Sequence, residues 1–200
     1  MECIAITLPI RLKLVEKLAK DIKLPVEIFN AISGLLYIDK YEGFTHILKG
    51  EKITNGMIGC LESHIQVLEE IEPDKNLLLF EDDCEFIEDS SSFFHDLHDF
   101  DIMCLGTNEN VEFELFEGKD YVRIFRFWGA HAILLRENGI QAVLKTYEKY
   151  YNQKIFLPAD WLYSYAIKEH NLNAYAPINP KRFFKQKSGL VSNVNGRIRT

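Results

Sequence analysis

The sequence predicts an α/β fold: one domain over residues 1–200, built on a mixed, mainly parallel sheet flanked by helices. Three observations carry this. The chain opens strand, helix, strand with short connections, the pattern of a parallel sheet. Leu77–Phe80 is an unbroken apolar run that suits a central strand covered on both faces. Apolar residues make up 47% of the 200 and charged residues 26%, which excludes a disordered or fibrous chain.

The elements follow in order. Cys3–Leu8 is a short apolar run and predicts a buried strand. After a turn at Pro9, Leu14, Val15, Leu18 and Ile22 recur at helical spacing, predicting a helix over Arg11–Ile22. Val26–Asn30 is the second strand, and residues 35–53 lack periodicity and predict a loop. Thr54 or Asn55 can cap a helix over 55–71, whose apolar residues fall on one face and which ends before Pro73. Asn76–Phe80 and Asp101–Leu105 predict strands, and 109–127 predicts a hairpin around Gly118-Lys119-Asp120. His131–Leu135 adds a strand, Glu137–Tyr150 a helix, Ala159–His170 a helix opened by Pro158, and Asn173–Ala176 a last strand.

Net charge is −7, which argues against a nucleic-acid partner. Six of the 23 basic residues and none of the 30 acids lie in 181–200, leaving −13 on the first 180. Such a segment is either a phosphate clamp or a solubilising tail. Cys3, Cys60, Cys84 and Cys104 form no CxxC pair and read as reduced core thiols, pointing to a cytoplasmic, reducing compartment. No stretch reaches the roughly 18 apolar residues of a membrane span, and the start lacks a basic signal-peptide region.

Glu81-Asp82-Asp83, directly after the apolar run, is the strongest chemical signal. Unpaired charges cannot stay in a core, so these acids emerge at the strand's carboxyl end, where open α/β sheets bind ligands. Adjacent carboxylates repel, and a hard divalent cation with phosphate oxygens would relieve them; an acidic loop on a solvated face is the plain alternative. Gly56 and Gly59 each weaken their helix by roughly 1 kcal/mol, a cost that makes sense if something packs or binds at that helix start. Glu62-Ser63-His64 interrupts the apolar face of the same helix. Phe127-Trp128-Gly129-Ala130-His131 suits either close backbone approach to a ligand or plain core packing. Asp160 falls in the first turn of a predicted helix, where the dipole favours its ionised form.

Taken in order, these segments resemble glycosyltransferase family 25, the lipo-oligosaccharide and collagen galactosyltransferase relatives. The resemblance runs through Ile6-Thr7-Leu8-Pro9-Ile10-Arg11, Phe29–Gly34, Gly59-Cys60 with Ser63 and His64, and Leu79–Asp83 as an EDD motif. It continues through Gly129-Ala130-His131-Ala132, Pro158-Ala159-Asp160, and Pro177 with Gln186 and Ser188. Ala130 and Ile133 stand where the family more often has Thr and Tyr. The resemblance implies a GT-A-like domain that binds a UDP-sugar with Mn²⁺ or Mg²⁺ and transfers a hexose with inversion to a glycan or glycoprotein hydroxyl. It makes Asp83 and Glu81 the metal candidates, and Asp160 the general base with Asp82 as fallback. Thr7, Pro9, Arg11, Ser33, His64 and His131 become donor-site candidates, with Lys181, Arg182 and Lys185 closing over the diphosphate. Two other classes stand beside this: a non-catalytic transferase-like scaffold, and an acid-cluster phosphotransferase, for which no downstream Thr–Lys arrangement is evident.

Overall fold

The computed structural model describes residues 1–89 and 99–188. The strands are β1 (Glu2–Thr7), β2 (Glu27–Asn30), β3 (Thr45–His46), β4 (Leu77–Glu81), β5 (Cys84–Phe86), β6 (Ile102–Gly106), β7 (Glu109–Leu115), β8 (Tyr121–Trp128), β9 (Ala132–Leu135), β10 (Ile155–Phe156), β11 (Ala174–Pro177) and β12 (Phe184–Gln186). The helices are α1 (Leu12–Ile22), α2 (Asn55–Glu70), α3 (Glu137–Asn152) and α4 (Ala159–Glu169). The main sheet runs β2-β1-β4-β9-β6-β11-β8-β7. β2, β1, β4, β6, β11 and β7 point one way, and β9 and β8 run against them, giving the expected mixed, mainly parallel sheet.

Strand side chains alternate between two covered faces, which is why β1 and β4 read as continuous apolar runs. Ile4, Ile6, Leu77 and Leu79 face a core with Leu61, Ile65 and Leu68 of α2, Val143 of α3 and Leu162 of α4. Cys3, Ala5, Leu78 and Phe80 face the opposite core with Val15 and Leu18 of α1 and with Phe183 and Phe184. The helices cover both faces, and the carboxyl ends of the parallel strands stay open.

Two expectations change. Residues 35–53, expected as loop, contain 3-10 turns at Gly34–Tyr37 and Asp39–Tyr41 and the short β3, which pairs in parallel with β10. Turns of three or four residues and two-residue bridges are too short to leave a period in sequence. The basic segment is also more than a tail as far as it is described. Phe183 and Phe184 are buried, and β12 pairs antiparallel with β5, bringing Gln186 opposite Cys84. Residues 189–200 of that segment lie outside the described residues. None of the four cysteines is in a disulfide, and no described helix is long and apolar enough to cross a membrane.

Candidate active site

Glu81 ends β4, and Asp82 and Asp83 form the turn into β5, so the acids emerge at the carboxyl end of a central strand. There they diverge. Asp82 Oδ2 accepts the Leu8 backbone N–H at 2.9 Å and Oδ1 accepts Arg11 Nη1 at 2.8 Å. Both oxygens are thus engaged in tying the exit of β1 to the exit of β4. Glu81 turns the other way. Its Oε2 lies 3.4 Å from His131 Nδ1, and its Oε1 lies 3.6 Å from His64 Nε2 and 3.8 Å from Cys60 Sγ. Burial alone would raise the Glu81 carboxyl, but the facing imidazoles of His131 and His64 outweigh it and hold the group well below the usual carboxylate range.

Asp83 Oδ2 accepts from Gln186 Nε2 at 3.3 Å. Gln186 Oε1 accepts from Asn108 Nδ2 at 3.3 Å, and Asn108 Oδ1 meets His131 Nε2 at 3.1 Å. Glu81, His131, Asn108, Gln186 and Asp83 therefore form a chain of contacts around one point. One ligand atom from each of Glu81, Asp83 and His131 falls within 4.8 Å of the others.

A cleft of about 330 Å³ opens beside these acids. Its walls are Ala31–Leu35, Leu8 with Arg11, and the first turns of α2; Glu81, Asp82, Asp83, Cys60 and His64 lie at its base. The cleft is shaped by close backbone contact. A Cβ on Gly34 would fall 1.9 Å from the Asn55 carbonyl oxygen, and one on Gly59 would fall 2.5 Å from that of Ile32. Ser63 completes the seam by accepting the Ile32 N–H at 2.8 Å and donating to the Gly59 carbonyl at 2.6 Å. The glycine in the first turns of α2 is thus explained by packing against 32–34. Thr54 caps α2, its Oγ1 accepting the Met57 N–H at 3.2 Å. Glu62 points away from the cleft to Lys40, Tyr41 and Tyr147.

Among the sequence candidates, the cleft brings together Arg11, Ser33, His64, Glu81, Asp82 and Asp83. The others lie elsewhere. Thr7 is buried and donates to the Leu8 carbonyl at 3.0 Å, and Pro9 is exposed at the start of a 3-10 turn. His131 is fully buried and reaches the site through Glu81. Lys181 is exposed, Arg182 pairs with Glu88 and Asp120, and Lys185 lies 3.4 Å from Glu85.

Asp160 opens α4 beside the strand β8 exit. Its Oδ2 accepts the Gly129 N–H at 3.3 Å and its Oδ1 accepts the Trp161 N–H at 3.0 Å. The dipole was expected to keep it readily ionised, yet burial dominates and raises its pKa against those two N–H groups, with the charge of Glu81 adding to the rise. Gly129 has φ +73°, and a Cβ there would come within 2.8 Å of both Asn108 Nδ2 and His131 Cε1. Only glycine lets one loop place an N–H on Asp160 and, two residues on, an imidazole on Glu81. Phe127 is plain core, and Trp128 packs edge-to-face on Trp161.

Sequence reasoning missed Asn108, Cys60 and Tyr163 as parts of this arrangement. Asn108 carries no local signal. Cys60 and His64 are four apart on one helix, and that spacing could have marked them. Tyr163 meets His64 Nδ1 at 2.9 Å and is fully buried.

The fold has known counterparts. The galactosyltransferase LgtC, solved with donor and acceptor sugar analogs, superposes with a TM-score of 0.52 at 10% identity, over 96% of this chain and 88% of that one. A putative glucose-1-phosphate thymidylyltransferase from Bacillus anthracis gives 0.51 at 10% identity, over 93% and 89%. The glycosyltransferase GlyE from Streptococcus pneumoniae gives 0.50 at 10% identity, over 96% of this chain but 56% of its own length. At such identity these likenesses show a shared GT-A-type fold and nothing finer. No curated protein matches the chain by sequence. The model of glycosyltransferase family 25 (LPS biosynthesis protein) matches residues 6–127, a span that holds the cleft, the acid motif and Asn108. The chain belongs to glycosyltransferase family 25.

Proposed function

We propose that this glycosyltransferase moves a hexose, galactose or glucose, from a UDP-sugar to a glycan or glycoprotein hydroxyl, with inversion and with a divalent cation. The carrying observation is the convergence of Glu81, Asp83 and His131 at the mouth of β4 beside a cleft. Asn108 Oδ1 accepts from His131 Nε2–H, so Nδ1 faces Glu81 either with a lone pair or with a second proton. With a proton there it is the imidazole that holds Glu81 ionised, and with a lone pair there it joins the carboxylates of Glu81 and Asp83 as a donor set that suits Mn²⁺. Such an ion would be held by Glu81, Asp83 and His131 and would supply a Lewis acid for the charge that develops on a leaving UDP.

The chain's own groups divide the remaining work. The wall at Ala31–Leu35 with Ser33 offers backbone and hydroxyl groups to the nucleoside. Asp82 is neutralised by Arg11 and the Leu8 N–H, so it holds the strand exits together and Asp160 takes the role of base. Inverting transfer needs one carboxylate outside the metal set to accept the acceptor's proton, and a raised pKa makes Asp160 a stronger base than an ordinary Asp. Its hydrogen bond from Gly129 keeps it on the loop that carries His131. Lys181, Arg182 and Lys185 are the cations proposed to reach the diphosphate; Lys181 is exposed, whereas Arg182 faces Glu88 and Asp120, and Lys185 faces Glu85.

The reading is tested by incubating the protein with Mn²⁺, a panel of UDP-sugars and an array of glycan acceptors, following UDP release and the configuration of the new glycosidic bond by NMR. One UDP-hexose turned over to a β-configured product is expected. Release of an α-configured product would remove inversion, and no turnover or binding of any nucleotide would favour the scaffold.

A further inference from the structure

Glu81 has two oxygens, and they face different partners. Oε2 faces His131. Oε1 faces α2, where Cys60 and His64, one turn apart on the same face, present Sγ at 3.8 Å and Nε2 at 3.6 Å. These three donor atoms lie within 4.8 Å of one another. His64 is 1% exposed, and its Nε2 makes no hydrogen bond, facing Glu81 Oε1 only across 3.6 Å. A buried imidazole nitrogen whose hydrogen-bonding capacity is unmet costs free energy that a bound ligand would recover. Its other nitrogen, Nδ1, is positioned by the Tyr163 hydroxyl at 2.9 Å, as the outer partner of a metal-binding histidine commonly is.

We propose that Cys60, His64 and Glu81 Oε1 form a second cation site, selective for a thiophilic divalent ion of the Zn²⁺ class. A thiolate, an imidazole and a carboxylate are the donors such an ion prefers, whereas Mn²⁺ and Mg²⁺ favour the oxygen-richer set on the other side of Glu81. Donor atoms around a tetrahedral Zn²⁺ sit about 3.5 Å apart at ordinary bond lengths, so a small contraction of the observed spacing suffices. Binding expels the Cys60 thiol proton to solvent. All three residues line the cleft, so the fourth position opens toward it and is filled by water or by an oxygen of whatever the cleft holds. The two sites share one carboxylate. Zn²⁺ on Oε1 would therefore compete with the Glu81–Asp83–His131 set for the electron density of that carboxylate.

The site rests on the position of Glu81 and not on the transferase reading, so its test uses metal alone. Co²⁺ is added to the thiol-reduced protein and followed by absorption. A saturable thiolate-to-Co²⁺ charge-transfer band is expected with one equivalent, displaced by Zn²⁺, absent in Cys60→Ser and requiring more than about tenfold higher Co²⁺ in His64→Gln. X-ray absorption of the wild-type protein with one equivalent of Zn²⁺ gives an answer independent of any variant. One sulfur at about 2.3 Å with the remaining neighbours nitrogen or oxygen is expected. A shell of nitrogen and oxygen alone, or a charge-transfer band that survives in Cys60→Ser, overturns the proposal.

Discussion

Asp160 stands under two opposed influences, the start of α4 with two backbone N–H donors and a buried setting near the charge of Glu81. Burial prevails, and the direction of the shift has a kinetic consequence. A base acts when deprotonated, so kcat/KM is expected to rise with pH through a pKa above the usual Asp value of about 3.9 and to level off beyond it. Asp160→Asn keeps an acceptor for one of the two N–H groups and removes the base. Transfer is expected to fall by roughly two to four orders of magnitude with UDP affinity retained, as rate measurements and UDP titration will show. A loss of only a few-fold would make Asp160 a cap. Its position in Pro158-Ala159-Asp160 was evident from sequence, but the burial that raises its pKa was not, because burial depends on how segments distant in sequence pack, as the contact with Gly129, 31 positions earlier, illustrates. Arg11 and Asp82 are a similar case: 71 residues apart, each stands out alone, and only the adjacency of β1 and β4 pairs them.

Elements, rather than single groups, shape the cleft. The contact between Gly34 and the first turn of α2 is backbone against backbone, so no side chain can rotate out of the way. Gly34→Ala is expected to cost about 1–3 kcal/mol in a urea melt and to weaken nucleotide binding by displacing the wall at 31–35. An unchanged midpoint would mean the seam is looser than its distances indicate. The β12 strap is the second such element. Phe184 is 3% exposed, its ring lies 5.3 Å from that of Phe80, and its Cβ faces Gly106. Phe184→Ala is expected to cost about 3–5 kcal/mol by the same melt, well above what a solubilising tail would show. The helical face of α2 and the apolar run of β4 were legible because each repeats a period over many residues. β12 was not, because three residues whose pairing partner lies a hundred positions earlier carry no local pattern.

For the whole molecule, the sheet order explains why the site is where it is. β1 and β4 run parallel side by side, β9 runs against β4, and their adjoining ends bring Leu8, Glu81 and His131 together. Sequence patterns conveyed the α/β class, most elements and the acids at the end of β4. The path of Asn108 and Gln186 from His131 to Asp83 depends on three strands meeting, and no stretch of sequence encodes that alone. The central claim is that these groups hold a cation on which nucleotide binding depends. Calorimetric titration of UDP into the protein with and without Mn²⁺, repeated with Asp83→Asn, tests it most directly. UDP is expected to bind at least about tenfold more tightly with Mn²⁺ in the wild-type protein, a difference of about 1.4 kcal/mol, and to lose that dependence in Asp83→Asn with the metal-free melting temperature little changed. Equal UDP affinity with and without Mn²⁺, or an unaltered Mn²⁺ effect in Asp83→Asn, would contradict it.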